Sequence, residues 1–417
     1  MQPADRLHAL DAVRAYALLL GVVLHGAAAF LEGFPIPLWL DTPTDGAPVI
    51  YYVIHMFRMS AFFLIAGFFA RLLVERRGVT AFVKDRGKRV ALPLVLFSVV
   101  VALASGLGFV LGALPHGVDY LTGLAQAAAQ PQAGAEQAPP AAVAGGFNLG
   151  HLWFLYYLLI FYVLALALRS LVLAVDPRGV LAAVGDRVVK LVLSGVWGPV
   201  LIALPIAAYL YQLESWTEWL GLPAPIAITP NETAMIGYGV AFALGWLANR
   251  QVQALLELKN LWYVYFAIAV ALTIFCLTTI GTEPRWIGGN LAGTDRLLYT
   301  AAYVVGLWCW VFGFVGAAVR FLSTPHRATR YLADASYWVY LMHLATLIFF
   351  INLLRPFDWH WSIKLAIYVG GSMPILLVTY HWFVRFTWIG AMLNGRRHPR
   401  PEKPPPAAPA VLEAQEP

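Results

Sequence analysis

Residues 10–25 read LDAVRAYALLLGVVLH, and this stretch begins the first long apolar run of the chain. It places an arginine and a histidine inside a segment that otherwise has the composition of a membrane helix. Arg14 and His25 are eleven residues apart, which on an α-helix is three turns plus about 20°, or about 16 Å along the axis. The two side chains therefore leave the helix from the same face.

Ionisable groups inside a membrane helix are costly, so this pair predicts a functional site. A structural interpretation stays open beside it. Arg14 would then extend to the cytoplasmic interface, and a neighbouring helix would satisfy His25.

The composition predicts a polytopic membrane protein. The chain has 417 residues, of which 60% are hydrophobic and 12% charged, with a mean hydropathy of +0.70. A soluble domain of this size cannot bury so much apolar surface with so few charges. Cys276 and Cys309 lie in apolar runs and indicate neither a disulfide framework nor a metal site. The sequence pI near 9.2 is typical of basic cytoplasmic loops, so no nucleic-acid partner is expected.

Ten segments are long and apolar enough to cross a bilayer, which predicts an all-α fold of about ten transmembrane helices. They run approximately over 12–32, 51–73, 90–113, 150–173, 190–211, 232–250, 261–281, 296–320, 335–354 and 362–389. With the N-terminus inside, the outer loops hold only Arg285, Arg296, Arg355 and Lys364, whereas the inner segments hold many more basic residues, including the cluster Arg71 to Arg89 and the tail from Arg396. The positive-inside rule therefore predicts that both termini are cytoplasmic. We expect the first helix to be retained, because it lacks the features of a signal peptide.

The domain organisation is expected to be simple. Residues 1–395 form one transmembrane domain, and the Pro-rich polar segment 396–417 is expected to be a disordered cytoplasmic tail. The outer loop 115–149 is rich in Ala, Gln, Pro and Gly, and we expect it to be unstructured.

Further candidate residues lie near the outer ends of the second and fourth helices. His55 and Arg58 are three residues apart and share a helix face, where they would hold an anionic or polyhydroxyl substrate or form a hydrated interfacial pair. His151 and Trp153 open the fourth helix. An aromatic belt at the interface explains Trp153 but leaves His151 unexplained.

A polar stripe follows late in the chain. Ser336, Tyr340 and His343 have i, i+4, i+7 spacing and line one helix face. Three polar groups on one side of a membrane helix indicate either a polar cavity or an interhelical hydrogen-bond seam.

A basic segment precedes the third helix. Arg86 and Arg89 are three residues apart, with Lys84 and Lys88 beside them. Guanidinium groups suit phosphate recognition, although positive-inside charge and contact with anionic lipid explain the segment equally well.

Several motifs are missing from the sequence. It contains no P-loop or dinucleotide fingerprint in a strand–helix context, no HExxH motif and no cysteine-paired metal ligands, so no metal site is expected. Apart from Asp11 at the inner edge of the first helix, no carboxylate stands convincingly inside a membrane helix. That absence weakens the case for a proton-coupled transporter.

These residues resemble the membrane-bound acyltransferase 3 family, which has ten transmembrane helices. Its first helix carries Arg, ten residues, then His, as in Arg14 to His25, and its cytoplasmic Arg-x-x-Arg corresponds to Arg86 to Arg89. Within the family, the chain looks most like the glucan biosynthesis protein C branch. The shared stretches are Leu10 to Ala15, Ile54 to Phe63, Gly67 to Phe69, Arg89 to Pro93, His151 to Leu155 and Tyr337 to His343.

The resemblance implies a multi-pass protein of the bacterial inner membrane that passes an acyl group from cytoplasmic acyl-CoA to a sugar hydroxyl at the outer face. The branch is associated with succinylation of osmoregulated periplasmic glucans, and acetyl is the commoner donor across the family. His25 and Arg14 would be catalytic, with Arg14, Arg86 and Arg89 at the acyl-CoA. The expected partners are acyl-CoA as co-substrate, a glycan acceptor and membrane lipid, with no permanently bound cofactor.

The remaining roles follow from chemistry together with this resemblance. His25 would act as general base for the hydroxyl, or would itself be transiently acylated. The residues expected to bind the acceptor substrate are His55, Arg58, His151, Trp153, Tyr340 and His343. A transporter or flippase for a glycan or small anion is the competing class, because an aligned Arg and His also suit a permeation path. A membrane sensor or scaffold is a third class, for which the sequence offers no output domain.

Overall fold

The structure is a computed structural model that describes residues 3–34, 39–129, 148–286, 288–289, 291–324, 326–395 and 397–399. Across these residues the regular structure is helical, apart from one isolated bridge between Asn148 and Ala227. The predicted all-α fold is therefore confirmed. The predicted tail, 396–417, lies outside the described residues except for 397–399.

Successive α-helices make up nearly all of the described chain. In order they are α1 (Pro3–Ala27), α2 (Ala47–Arg86), α3 (Leu92–Ala113), α4 (Val118–Ala129), α5 (Trp153–Val175), α6 (Val180–Leu193), α7 (Gly198–Gln212), α8 (Glu232–Ala248), α9 (Val252–Glu257), α10 (Trp262–Ile280), α11 (Gly293–Phe321), α12 (Arg327–Leu354), α13 (Trp361–Thr379) and α14 (Trp388–Asn394). Two π-helical turns, Gly87–Ala91 and Tyr380–Val384, follow α2 and α13.

Seven helical stretches in the described residues are long and apolar enough to cross a membrane. They are His8–Phe30, Ala47–His116, Gly150–Val175, Trp262–Ile280, Gly293–Phe321, Arg327–Leu354 and Trp361–Val384. The number is up to eight if α6 and α7, which meet at 109°, form one bent span. A multi-pass membrane protein is thus supported, whereas the predicted count of ten is not confirmed.

The predicted second and third spans lie in one helical stretch of 70 residues, Ala47–His116. This stretch is broken inside α2 at Gly78, whose φ of +79° and ψ of 167° are not helical. A positive φ favours glycine, so the break falls where the sequence permits it. The predicted span 232–250 corresponds to α8, which has only 17 residues and is not one of the seven.

The outer loop 115–149, expected to be unstructured, is helical over most of residues 115–129, so that part of the prediction is wrong. Residues Val118–Ala129 form helix α4, preceded by a short 3-10 turn at Leu114–His116. The sequence of α4, VDYLTGLAQAAA, is rich in alanine and leucine, which are strong helix formers. Residues 130–147 lie outside the described part of the chain.

Three helices form the centre of the bundle. The most apolar windows of α1, α11 and α12 are 67%, 78% and 61% buried, against 17–28% for the other four spanning stretches. Helix α1 packs against both α2 and α12 and also contacts α11 and α13. The α1 segment therefore occupies an interior position in the fold, as its two ionisable residues require.

Glycines allow two of the helix pairs to pack closely. On α2, Gly67 lies against the backbone of Phe242 in α8, and Gly245 of α8 lies against the backbone of Leu64. On α3, Gly108 contacts the backbone of α12 in the same way. Small residues at helix interfaces are the usual means of close packing within membranes.

Candidate functional site

Arg14 and His25 lie on one uninterrupted α-helix, α1. Their separation along the axis is therefore about 16 Å. Both side chains face the seam where α2 and α12 pack on α1. The Arg14 guanidinium is 5.8 Å from the ring centre of Phe69 in α2, and the His25 ring is 5.1 Å from that of His343 in α12.

Three histidines meet at the end of α1 that carries His25. The ring centres of His25 and His343 are 5.1 Å apart, and those of His343 and His151 are 5.2 Å apart. We refer to His25, His151 and His343 as the histidine cluster. They come from α1, the turn before α5 and α12, so three distant segments of the sequence build it. His343 is only 1% exposed and His151 8%.

Hydrogen bonds to backbone carbonyls assign the tautomers of two of these rings. His343 Nδ1 is 2.7 Å from the carbonyl oxygen of Tyr340, and His151 Nε2 is 3.2 Å from that of Leu341. A carbonyl only accepts, so each of these nitrogens carries the proton. In its neutral form, His343 therefore presents an unprotonated Nε2. That atom is buried, and nothing in the described residues hydrogen-bonds to it.

Tyr340 links helix α12 to the segment that carries His151. Its hydroxyl donates to the carbonyl oxygen of His151 at 2.6 Å, and its ring centre lies 5.2 Å from the His151 ring. The polar stripe predicted on α12 thus partly forms an interhelical seam, which joins α12 to the start of α5. Ser336, the first residue of that stripe, instead donates within its own helix to the carbonyl oxygen of Ala333.

Trp39, in the connection between α1 and α2, covers His25. Its Nε1 donates to the His25 carbonyl oxygen at 2.9 Å, and the two ring centres are 5.3 Å apart. His25 Nδ1 is buried, and no hydrogen-bond partner for it exists among the residues that the structure describes. The histidine cluster therefore contains two buried imidazole nitrogens, on His25 and His343, that lack a hydrogen-bond partner in the described structure.

A buried ion pair holds the Trp39 segment in place. Asp41 accepts hydrogen bonds from Lys364 Nζ, at 2.8 Å and 3.0 Å, and from the hydroxyl of Tyr368, both on α13. The Asp41 amide donates to the carbonyl oxygen of Ala29 at 2.7 Å. Lys364, expected in an outer loop, instead lies in the first turn of helix α13 and is buried against Asp41. The pairing is invisible to local patterns, since 323 residues separate the two partners.

Arg58 brings a cation to the cluster. It is 8% exposed and lies within electrostatic range of all three cluster histidines. Its guanidinium lies directly against Gly21 of α1, in the space that a side chain at Gly21 would fill. In the described part of the chain no carboxylate pairs with Arg58, and its Nε has no hydrogen-bond partner.

His55 and Trp153 both pack against aromatic rings near this centre. The His55 ring stacks on Tyr51 at 5.2 Å, and Tyr51 stacks on Trp219 at 5.9 Å. Trp153 is buried and packs against Tyr157 and Tyr238, with ring centres 5.6 Å and 5.5 Å away, rather than against the histidine cluster. His55 therefore adjoins the centre, and Trp153 belongs to the packed core beside it.

The other end of α1 gathers three arginines, Arg14, Arg86 and Arg89, which we call the arginine end. Arg86 lies 5.5 Å from the ring centres of both Phe82 and Tyr162, and Arg14 and Arg89 are within electrostatic range of each other. The fold therefore brings Arg14 of the first helix close to the Arg86–Arg89 motif.

Asp85 partly neutralises the arginine end. Its carboxylate oxygens are 3.5 Å from Arg86 Nε and 3.7 Å from an Arg89 terminal nitrogen. Arg89 Nε also donates to the carbonyl oxygen of Leu393 at 3.3 Å. An anion bound here would therefore compete with Asp85 for both guanidinium groups.

A pocket of 510 Å³ opens beside Arg14. It is lined by the start of α1, the α11–α12 connection, the start of α12 and α14, with Arg14, Asp11 and Arg330 among its walls. Arg14 pairs with Asp11 at 3.2 Å. The volume lies within the range typical of small-molecule sites. Arg86 and Arg89 do not line this pocket.

The arrangement suits proton transfer and stabilisation of negative charge. Unpartnered imidazole nitrogens accept a proton, and a buried guanidinium stabilises an anion. Among the described residues, no group of three histidine, cysteine or carboxylate side chains is placed to hold a metal ion.

Gly21 and Trp39 also contact the site, although neither is among the candidate residues predicted from the sequence. Gly21 has a recognisable signal, because it lies seven residues after Arg14 and four before His25, on the same helix stripe. Trp39 has none, because it is in a connecting segment whose position only the fold determines.

The sequence is similar to known proteins over most of its length. A family model described as an acyltransferase domain, of the acyltransferase 3 type, matches residues 7–381. The chain is 23% identical to the Glucans biosynthesis protein C of Escherichia coli O139:H28 over 432 residues, covering 94% of this chain and 96% of that protein. It is 33% identical over 99 residues to the protein of the same name from strain SMS-3-5, and 32% identical to that from strain K12.

These last two alignments cover 22% of this chain and 24% of each relative, so they span about a quarter of those proteins. No solved structure matches the chain. The family match includes both Arg14 and His25 and extends over nearly the whole described helical region. The chain therefore belongs to the acyltransferase 3 family.

Proposed function

We propose that this protein transfers an acyl group, succinyl or acetyl, from cytoplasmic acyl-CoA to a hydroxyl of a periplasmic or cell-surface glycan. One observation carries the proposal. His25, with a buried unpartnered nitrogen, lies in a cluster of imidazoles beside a cation and three helical turns from the arginine end. In an acyltransferase family member, that pairing supplies a base and a separate site for an anionic donor.

The donor is assigned to the arginine end. Guanidinium groups bind phosphates well, and of the three arginines Arg14 lines the pocket of 510 Å³, while Arg86 and Arg89 pair with Asp85 outside its lining. The pantetheine arm of acyl-CoA carries its thioester away from the nucleotide. A donor bound at the arginine end would thus extend along α1 towards His25, about 16 Å away.

His25 acts as the general base in this proposal. It takes the proton of the acceptor hydroxyl as the oxygen attacks the thioester carbon, and it later returns that proton to the thiolate. An alternative route acylates His25 itself before the sugar attacks. The two routes differ in kinetics, because only an acyl-histidine gives a burst of free CoA without acceptor.

The acceptor is a glycan that reaches His25 from the opposite side of the membrane. The relatives are named for the biosynthesis of glucans, which supports this class of acceptor. We assign the acceptor side to His55, Arg58, His151, Trp153, Tyr340 and His343.

The proposal includes a topology of ten membrane spans, with both termini in the cytoplasm of a bacterium and the protein in its inner membrane. The strong bias of Lys and Arg towards the inner segments supports it. The break at Gly78 supports it too, because it divides the longest helical stretch into two segments.

The experiment is a transfer assay with the purified full-length protein in lipid nanodiscs. Succinyl-CoA and acetyl-CoA, each with a labelled acyl group, are supplied with an envelope glucan. The proposal predicts label on the glucan and one CoA released for each acyl group transferred. Glycan flux across vesicles without acyl-CoA, together with no CoA release, would instead identify a transporter or flippase.

A further inference from the structure

The contact between Gly21 and Arg58 lies between the two ends of the proposed site. Gly21 is seven residues after Arg14 and four before His25, so all three share one stripe of α1. The Arg58 guanidinium from α2 fills the space above Gly21, where any Cβ would collide with its terminal nitrogen. The Arg58 cation therefore lies against α1 about one helical turn from His25.

This cation has no anion of its own within the described residues. Its electrostatic neighbours, besides the histidines, are the hydroxyl groups of Tyr51, Tyr238 and Tyr340. A buried charge without a counter-ion is expensive in a membrane protein and is retained where a function needs it. The unpartnered Nε adds a free hydrogen-bond donor at the same place.

We propose that Arg58 is a catalytic residue whose guanidinium stabilises the oxyanion formed on the acyl carbonyl, and that Gly21 is the positioning residue that admits it. This rests on the acyl transfer proposed above and changes the role of Arg58 there from holding the acceptor to stabilising the transition state. Fixed donors placed where charge develops are among the largest contributors to acyl-transfer rates.

Acyl transfer at this site has two stages, addition to the thioester and loss of CoA. The acceptor oxygen forms a bond to the thioester carbon while its proton passes to His25, and the carbonyl π electrons move to the carbonyl oxygen beside Arg58. When those electrons return, the carbon–sulfur bond breaks. The thiolate of CoA leaves with that electron pair and takes the proton from His25.

The first test replaces Arg58 in the purified full-length protein. Arg58→Met is expected to lower kcat by about 100-fold with the KM for glycan changed less than threefold, the signature of an interaction made in the transition state. Arg58→Lys keeps the charge but loses the fork of donors, and we expect an intermediate loss. The matched control is Arg71→Met on the same helix, because Arg71 pairs with Glu75 at 3.5 Å, away from the cluster.

The second test uses Gly21→Ala, whose single methyl group displaces the guanidinium with little risk to folding. We expect kcat to fall about tenfold, with insertion and melting temperature retained. In an Arg58→Met background, where no guanidinium remains, the same Gly21→Ala change should have no further effect. Such loss of additivity is how a double-mutant cycle detects coupled residues.

Three results would overturn this inference while leaving acyl transfer intact. They are full kcat in Arg58→Met, a loss confined to the KM for glycan, and equal effects of Gly21→Ala in both backgrounds. If the wild-type protein transfers no acyl group, the proposed function itself fails, which is a separate outcome. Should Arg58→Met not fold, Arg58→Lys and Gly21→Ala decide by the same criteria.

Discussion

At the residue scale, the site depends on which imidazole nitrogens are free. The bond between His343 Nδ1 and the Tyr340 carbonyl fixes the tautomer of His343 and leaves its Nε2 unprotonated. His25 lies 5.1 Å away, centre to centre, with its own Nδ1 unpartnered in the described structure. His343 thus positions the His25 ring by packing against it, and it leaves the unpartnered nitrogen of each ring without a hydrogen bond in the described structure.

The first prediction concerns His343. Replacement by alanine removes the ring that packs 5.1 Å from His25 and restricts its position, so kcat for acyl transfer should fall by about 10–100-fold. Steady-state kinetics on purified protein measure the effect. The control is His360→Asn, because exposed His360 caps α13 and asparagine preserves that cap. Unchanged turnover in His343→Ala would remove His343 from the mechanism.

Sequence reasoning at this scale succeeds where residues share one helix. The spacing of Arg14 and His25 predicts a common face, and both side chains do face the α2–α12 seam. It also nominates His151 and His343, but it cannot predict their contact because about 190 residues separate them. Asp41 and Glu218 lie in connecting segments outside the apolar helices, yet they are only 7% and 0% exposed. No local sequence pattern indicates that these two carboxylates are buried.

At the element scale, the α1–α2 connection is the part of the fold that packs over His25. Trp39 covers the histidine, and Asp41 fastens the connection to α13 through Lys364 and Tyr368. Truncating one partner of a buried ion pair leaves an uncompensated charge, which costs about 3–5 kcal/mol. The connection should therefore loosen when Asp41 loses its charge.

The second prediction is that Asp41→Asn lowers the melting temperature of the detergent-solubilised protein and increases hydrogen exchange in the Trp39 segment. The control is Asp186→Asn, which breaks the more exposed pair with Arg250 at 2.8 Å and should cost at most about 1 kcal/mol. Equal melting temperatures for the two variants would show that the buried pair does not anchor the connection.

Apolar length predicts most of the helices but not their interruptions. The segment predicted as 190–211 is instead two helices, α6 and α7, that meet at 109°. Gly195 there has a φ of +67°, and Pro199 lies in the first turn of α7, which together permit the sharp bend. Hydropathy measures apolar content and is insensitive to such local backbone changes.

At the scale of the whole molecule, the two ends of α1 carry different chemical groups. Arginines and a pocket lie at one end, and imidazoles with a buried cation lie at the other. The separation suits a reaction whose two substrates come from opposite sides of a membrane. It also requires that the arginine end faces the cytoplasm, where acyl-CoA is made.

The third prediction is therefore one of topology. Single cysteines at Arg76 and at Asp358 should react with a membrane-impermeant maleimide from the cytoplasmic side and from the opposite side, respectively. Native Cys276 and Cys309 are buried, so they contribute little background. Labelling of both positions from one side would contradict the proposed orientation.

The most direct test of the central claim is the turnover of His25→Ala, measured with labelled acyl-CoA and glucan in nanodiscs against wild-type protein of equal insertion and melting temperature. We predict a loss of at least about 100-fold in kcat, because the hydroxyl loses the imidazole that accepts its proton. Turnover within a few-fold of wild type would contradict the claim that this imidazole performs the transfer.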